Sequence, residues 1–191
     1  MFYSASSSGF YDTAIHGDTI PADAVEITPE EHAALLAGQS AGKRIVPNAS
    51  GQPILAGPTV AETKAAKLEG IKAERDRRKA GGFKVGTLWF HSDADSRIEH
   101  LGLKDKARDL IAAGGAMADN LTILGQPVRW KTMDGSFANI TTQLAFDIVA
   151  AAGDLDARLF AVAETHRTAM EAAADPAAYD FSAGWPETFG G

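Results

Sequence analysis

TTQLAFDIVAAAGDLDARLFAVAETHRTAMEAAA, residues 141–174, is the stretch on which the fold turns. Leu144, Ile148, Ala151, Leu155, Leu159, Val162, His166, Met170 and Ala173 recur at spacings of three and four. That spacing predicts one long helix with a heptad-like apolar seam. Thr141 or Thr142 opens it as an N-cap, and Asp175-Pro176 lies beyond its end. Gly153 costs about 1 kcal/mol against Ala within such a helix and is the place where it could break. The seam has two possible destinations. It packs on other helices of the same chain, or on copies of itself about a symmetry axis.

Upstream, PVRWKTMDGSFANIT sets Asp134-Gly135 between two strand-like runs, which predicts a hairpin with a two-residue turn. HSDADSRIEHL starts a helix at Ser92 or Asp93, with Ile98, Leu101, Leu110 and Ile111 on its apolar face and Gly114-Gly115 at its end. FKVGTLWF reads as a tight hairpin or one bent strand. Before it, Thr59 and Glu62 form a capping box for a helix that ends at Gly81-Gly82. Its stripe of Ala61, Ala65, Leu68 and Ile71 is thin, as suits a linking helix or a short coiled-coil seam. Downstream of the long helix, Tyr179, Phe181, Trp185 and Phe189 stand among Gly and Pro and suit a surface groove, on this chain or on a partner.

The first residues form a small β-rich module. Phe2–Ala5 and Phe10–His16 are candidate strands around a Ser/Gly turn, and Ala24–Ile27 is a third. Thr28, Pro29 and Glu31 then open a helix expected to stop near Gly38. Arg44–Val46 and Pro53–Ala56 make a second hairpin around Asn48–Gly51. Phe2, Tyr3, Phe10 and Tyr11 put aromatics at a chain end, a place where strands fray unless something covers them. The expected fold class is therefore α+β. A β-rich module (1–58) leads through a linking helix (59–80) to a mainly helical domain (81–191) with one or two β-hairpins and the long C-terminal helix.

The 191 residues are 45% apolar and 23% charged, enough for a buried core. The net charge of −7 argues against general nucleic-acid binding and against an anionic membrane surface. There is no Cys, which removes disulfides, zinc-thiolate sites and a Cys nucleophile. No stretch has the apolar length of a membrane span, and no signal peptide is expected, so the reading is cytoplasmic synthesis and no membrane insertion. Residues 62–79 carry seven bases against four acids, a basic band between two acidic parts. It forms either a solvated helix face or a dock for an acidic surface, its own or a partner's.

Chemistry-bearing motifs are weak. His91, Asp93 and Asp95 form an HxDxD string that could ligate a metal, yet a helix start with acidic caps gives the same string. Glu99 joins these acids for the same reason. GQSAGK, Gly38–Lys43, is one residue short of a phosphate loop and lacks the following hydroxyl. His166 falls in the seam and reads as a packed histidine. Trp89, Phe90 and Trp130 read as core. No catalytic residue, metal site or cofactor is expected, and the chain is read as a non-enzymatic protein.

Two stretches carry a family resemblance. FYSASSSGFYDTAIHG, IPADAVEITPEEHAALLAG and GKRIVPNASGQPILAGP, in order over residues 2–58, resemble tail fibre assembly proteins of tailed bacteriophages. AERDRRKAGG, VGTLWFHSDADSR (with Asp93, Ser96 and Arg97) and WKTMDGSFANIT (with Trp130, Thr132, Asp134 and Gly135) resemble an uncharacterised domain of phage tail proteins, from about residue 62 to 175. The resemblance implies a fibre assembly factor, or chaperone, or a fibre-tip component, whose partner is the tail fibre protein. It implies a place in the virion tail or in the host cytoplasm during assembly. Phe2, Tyr3, Phe10, Tyr11, Tyr179, Phe181 and Trp185 are then the expected partner-binding residues. Leu144, Ile148, Leu155, Leu159 and Val162 are the expected oligomer seam. The alternative is a homotrimeric receptor-binding tail protein that contacts a host surface receptor.

Overall fold

The computed structural model describes residues 1–190 and has an α+β fold. The chain divides into two units, Met1–Thr63 and Lys64–Gly191.

In the first unit, β1 (Phe2–Ser4) is the centre of a three-stranded antiparallel sheet, between β2 (Gly9–Tyr11) and β3 (Val25–Glu26). Tyr3 pairs with Phe10 on one side and Val25 on the other. The expected second strand stops early. Asp12 accepts a hydrogen bond from the Ala14 N–H and turns Thr13–His16 into a short helix, α1. The serine turn is held by Asp23, whose carboxylate accepts from the Ser6 N–H (2.8 Å), the Ser4 hydroxyl (2.9 Å) and the Ser6 hydroxyl (2.9 Å). Those bonds, led by the Ser6 N–H, hold the Asp23 carboxyl below its ordinary value.

Helix α2 (Pro29–Ser40) begins with the expected capping box: Glu31 donates its N–H to the Thr28 hydroxyl and accepts the Thr28 N–H. It does not stop at Gly38. Gly38 lies inside the helix because Leu55 of the next hairpin packs where a Cβ would stand, and the left-handed glycine is Gly42 (φ 85°). The hairpin is β4 (Arg44–Pro47) with β5 (Pro53–Ala56), turned by Asn48, whose side-chain oxygen accepts from the N–H groups of Ser50 and Gln52. Tyr3, Ile27 and Leu35 form this unit's small core, with Phe10, Val25, Ile45 and Leu55 around it.

Helix α3 (Val60–Lys79) carries the basic band. In the second unit, β6 (Phe83–Val85) and β7 (Leu88–Phe90) form a hairpin, so the FKVGTLWF alternative resolves to two strands. Asp93 caps α4 (Ala94–Ala112). Two further hairpins follow: β8 (Thr122–Ile123) with β9 (Gln126–Pro127), and β10 (Arg129–Lys131) with β11 (Phe137–Asn139). The last loop is longer than the Asp-Gly signal predicts. Thr132 donates its N–H to Ser136 O, and its hydroxyl donates to Asp134, so the connection runs over residues 132–136.

Helix α5 (Thr142–Ala172) is continuous for 31 residues; Gly153 does not break it and faces open space. Ile148, Leu155 and Leu159 are almost fully buried in one cluster with Phe83, Phe90, Leu103, Ala107, Leu121 and Ile140. Each Ile, Leu or Phe of this cluster contributes about 1.5–3 kcal/mol on burial. The apolar face of α4 differs from expectation. Ile98 and Leu101 are exposed (67% and 52%), whereas His100, Leu103 and Ala107 face inward. The i, i+3, i+7 stripe is present but starts at a histidine, which a search for hydrocarbon residues passes over.

Candidate functional site

The N-terminal unit presents two features of a docking surface. Its sheet ends at β2 and β3, and edge strands offer backbone hydrogen-bonding groups to a partner. On another part of the same unit, a groove of about 270 Å³ runs between α2 and β5, lined by Ile27, Ala34, Leu35, Pro53 and Ile54 among others. Ile54 is 44% exposed and Leu36 of α2 40%. Sequence reasoning missed this groove. The alternation of Pro53-Ile54-Leu55 hinted at it, since Leu55 goes to the core and Ile54 must then face outward.

The aromatics expected to bind a partner divide. Phe2, Phe10 and Tyr11 are partly exposed. Phe10 packs edge-on against His32 (4.5 Å between centroids), and the Tyr11 hydroxyl donates to Ser7 Oγ (2.9 Å). Tyr3 is corrected: at 0% exposure it is the unit's core and cannot touch a partner.

The other expected contact residues lie in the second unit and are used there. Tyr179, Phe181 and Trp185 pack on Ile71, Ala163 and Met170, so the tail crosses α3 and α5 of its own chain. His166 bonds the Tyr179 hydroxyl through Nδ1 and Ala183 O through Nε2, both at 2.9 Å. It is therefore a half-buried clamp on the tail, not a core residue. Trp185 Nε1 donates to Phe181 O (2.7 Å), and the Arg78 guanidinium lies 5.9 Å from the Trp185 ring. Three of the five expected seam residues are likewise buried within the chain. Ile148, Leu155 and Leu159 are covered by this unit's own α4 and strands, Leu144 packs against the same cluster, and Val162 is half-buried. A 3–4 spacing specifies an apolar stripe but not which surface covers it.

The basic band also docks at home. Lys64 donates to Glu171 O (2.6 Å) and Lys67 to Tyr179 O (2.8 Å). Lys72, Arg75 and Arg77 pair with neighbouring acids of α3. Arg78 bonds Glu74 and Pro186 O, and Lys79 reaches Asp156 at 3.4 Å. The paired arginines, Arg77 first, pull the Glu74 carboxyl down to about 2.

A polar centre sits beside the core of this unit. Arg97 grips Asp156 with two parallel bonds (2.8 and 3.0 Å) and donates through Nε to Ser92 O (2.7 Å). Next to it is a cavity of about 210 Å³ lined by Arg97, His100, Leu101, Val149, Gly153 and Asp156. His100 is 1% exposed, and neither ring nitrogen has a hydrogen-bond partner. Burial pushes its pKa down to about 4, so the imidazole is neutral at pH 7. Two cations compensate Asp156, which leaves this centre suited to holding α3, α4 and α5 together. The pair is separated by 59 residues and had no local sequence signal.

The remaining motif residues serve local structure. Asp93 accepts from the N–H and hydroxyl of Ser96, which lower its carboxyl below the ordinary value, and Asp93 is thereby committed to capping α4. Asp134 accepts from Thr132 Oγ1, Ser136 N–H and Ser136 Oγ, and its pKa falls to about 2. Among the described residues no three His, Asp or Glu side chains come together as a metal-binding group. No helix among them is long and apolar enough to cross a membrane. Gly38–Lys43 is the end of α2 and the loop after it.

Comparison with known proteins adds three findings. A "Probable tail fiber assembly protein" of Shigella phage SfV is 46% identical over 54 residues, which cover 28% of this chain and 32% of that protein. This chain thus matches about a third of that relative's length. No solved structure matches. Residues 62–183, which hold α4, α5, the Arg97–Asp156 pair and the Asp134 hairpin, match the family described as "Domain of unknown function (DUF4376)", and the chain belongs to that family.

Proposed function

We propose that this protein works in the assembly of a phage tail fibre, as a binding protein that makes or breaks no covalent bond. The identity with the phage SfV protein carries the reading. The resemblance of residues 2–58 to tail fibre assembly proteins points the same way and makes this module the fibre-binding part. Its physical form supports that role. The module has only Tyr3, Ile27 and Leu35 as buried core. A unit of that size gains stability from any partner that covers more apolar surface. The α2–β5 groove would take apolar side chains of the fibre, and the β2 edge, with Phe10 and Tyr11, would take its backbone. Ile148, Leu155 and Leu159 of the expected seam are buried within the chain, so the proposal rests on the first unit and not on a homotrimeric seam.

Co-expression tests this. The fibre encoded beside this chain is produced with and without it, and trimer yield is measured by native gel and light scattering. More trimer with the chain present, and loss of the gain on Ile54→Glu, is expected. Equal trimer in both cultures removes the assembly role.

A further inference from the structure

The outer face of the β10–β11 hairpin gathers two cations and an exposed aromatic ring. Cross-strand register sets Arg129 opposite Asn139 and Lys131 opposite Phe137, with Trp130 and Ala138 between them on the inner face. Trp130 packs on the core, so the alternation forces Arg129, Lys131, Phe137 and Asn139 outward together. Every cation of α3 is matched by an acid or a carbonyl oxygen. Arg129 and Lys131, by contrast, have no carboxylate within ion-pair distance among the described residues, in a chain of net charge −7. Residues i and i+2 of a strand stand about 7 Å apart, so the two charges repel weakly. Phe137 is 57% exposed, and the Arg129 guanidinium lies 4.9 Å from its ring. Arg129 is itself exposed, so its guanidinium lies beside the ring at the surface. The loop bonds among Thr132, Asp134 and Ser136 hold the hairpin, so the face is ordered before anything binds.

We propose that this face is a docking surface for an acidic polypeptide in extended form. It would place carboxylates from alternate residues on Arg129 and Lys131 and lay an apolar side chain on Phe137. The strand repeat of the partner equals that of β10, so alternate acids match both cations in one register, whereas adjacent acids point to opposite sides. A polypeptide with alternating acids fits, because two carboxylates match the two cations in register and an apolar side chain then falls beside Phe137; the many charges of a polyphosphate meet only two cations here. The surface lies in the DUF4376 unit and does not depend on the fibre-binding reading of the first unit.

The test is an NMR titration of the ¹⁵N-labelled full chain with a synthetic peptide containing Glu-Thr-Glu-Thr-Leu. The isomer Glu-Glu-Thr-Thr-Leu and a dT₁₀ oligonucleotide serve as comparisons. The expected result is saturable shifts at Arg129–Lys131 and Phe137, about threefold or more weaker with the isomer. They should weaken at least tenfold in Arg129→Glu/Lys131→Glu. Arg129→Gln/Lys131→Gln, which removes charge from exposed positions without reversing it, should show an intermediate loss. No saturable shift at these residues overturns the proposal. So does equal binding by both peptides, tighter binding by dT₁₀, or undiminished binding by the Glu/Glu variant.

Discussion

His100 gives the sharpest prediction about stability. Its ring lies among Trp130 (4.6 Å), Phe83 (5.8 Å) and Phe90 (6.1 Å), and both nitrogens lack partners. Burial lowers its pKa from 6.5 to about 4; Asp93 opposes that shift, while His91 and Arg97 add to it. Because the folded pKa is below the unfolded one, the unfolded chain binds the extra proton first as pH falls. Stability is therefore complete above about pH 6.5, declines between there and about pH 4, and has lost this contribution below. A displacement of that size corresponds to about 3 kcal/mol in total, at no more than about 1.4 kcal/mol per pH unit. Carboxylates held low, such as Glu74 at about 2, begin to matter only below their ordinary value of 4.5, so the upper part of the window belongs to His100. His100→Phe keeps an aromatic ring in the cage and removes the titration. Urea unfolding at pH 7.0, 6.0, 5.0 and 4.5 should show a wild-type decline that the variant lacks, with the variant at least as stable at pH 5. Parallel pH profiles for the two proteins would refute the reasoning.

Other perturbations test the packing. Arg97→Ala and Asp156→Ala, combined in a double-mutant cycle, should give a coupling of about 1–2 kcal/mol, between the values for exposed and fully buried pairs. Denaturant midpoints measure it, and additivity would deny the pair its role. Trp185→Ala should cost about 2 kcal/mol, less than a fully buried Trp. It should release hydrogen-exchange protection around Tyr179–Phe189 while leaving Leu155 and Leu159 protected. Gly38→Ala gains about 1 kcal/mol of helix propensity but forces Leu55 out of its place at about 1–3 kcal/mol. A net loss near 1 kcal/mol in the first unit, read from methyl NMR during unfolding, is expected.

Local patterns were legible in the sequence because local chemistry causes them. The Thr28–Glu31 and Thr59–Glu62 capping boxes, the cap at Asp93 and the periodicity of α5 each depend on residues a few positions apart. What failed depends on the distant chain. Leu55 decides that Gly38 is helical, and α4 decides that the seam of α5 is covered within one chain. His100 replaces a hydrocarbon at the start of the buried stripe of α4, so a stripe read from hydrocarbons alone runs through Ile98 and Leu101 instead. The tail aromatics were recognised as groove-fillers, but only the fold could assign the groove to α3 and α5. At the candidate docking surface, the strand at Phe10 was visible, but its place at the sheet edge and the α2–β5 groove were not, since both exist only once distant pieces pack together.

The central claim is that the Met1–Thr63 unit grips a fibre polypeptide. Hydrogen–deuterium exchange on the full chain, alone and mixed with its neighbouring fibre, tests it most directly. The account predicts slowed exchange in Gly9–Tyr11, α2 and Pro53–Ala56 on mixing. Protection confined to residues 64–190, or none, contradicts it.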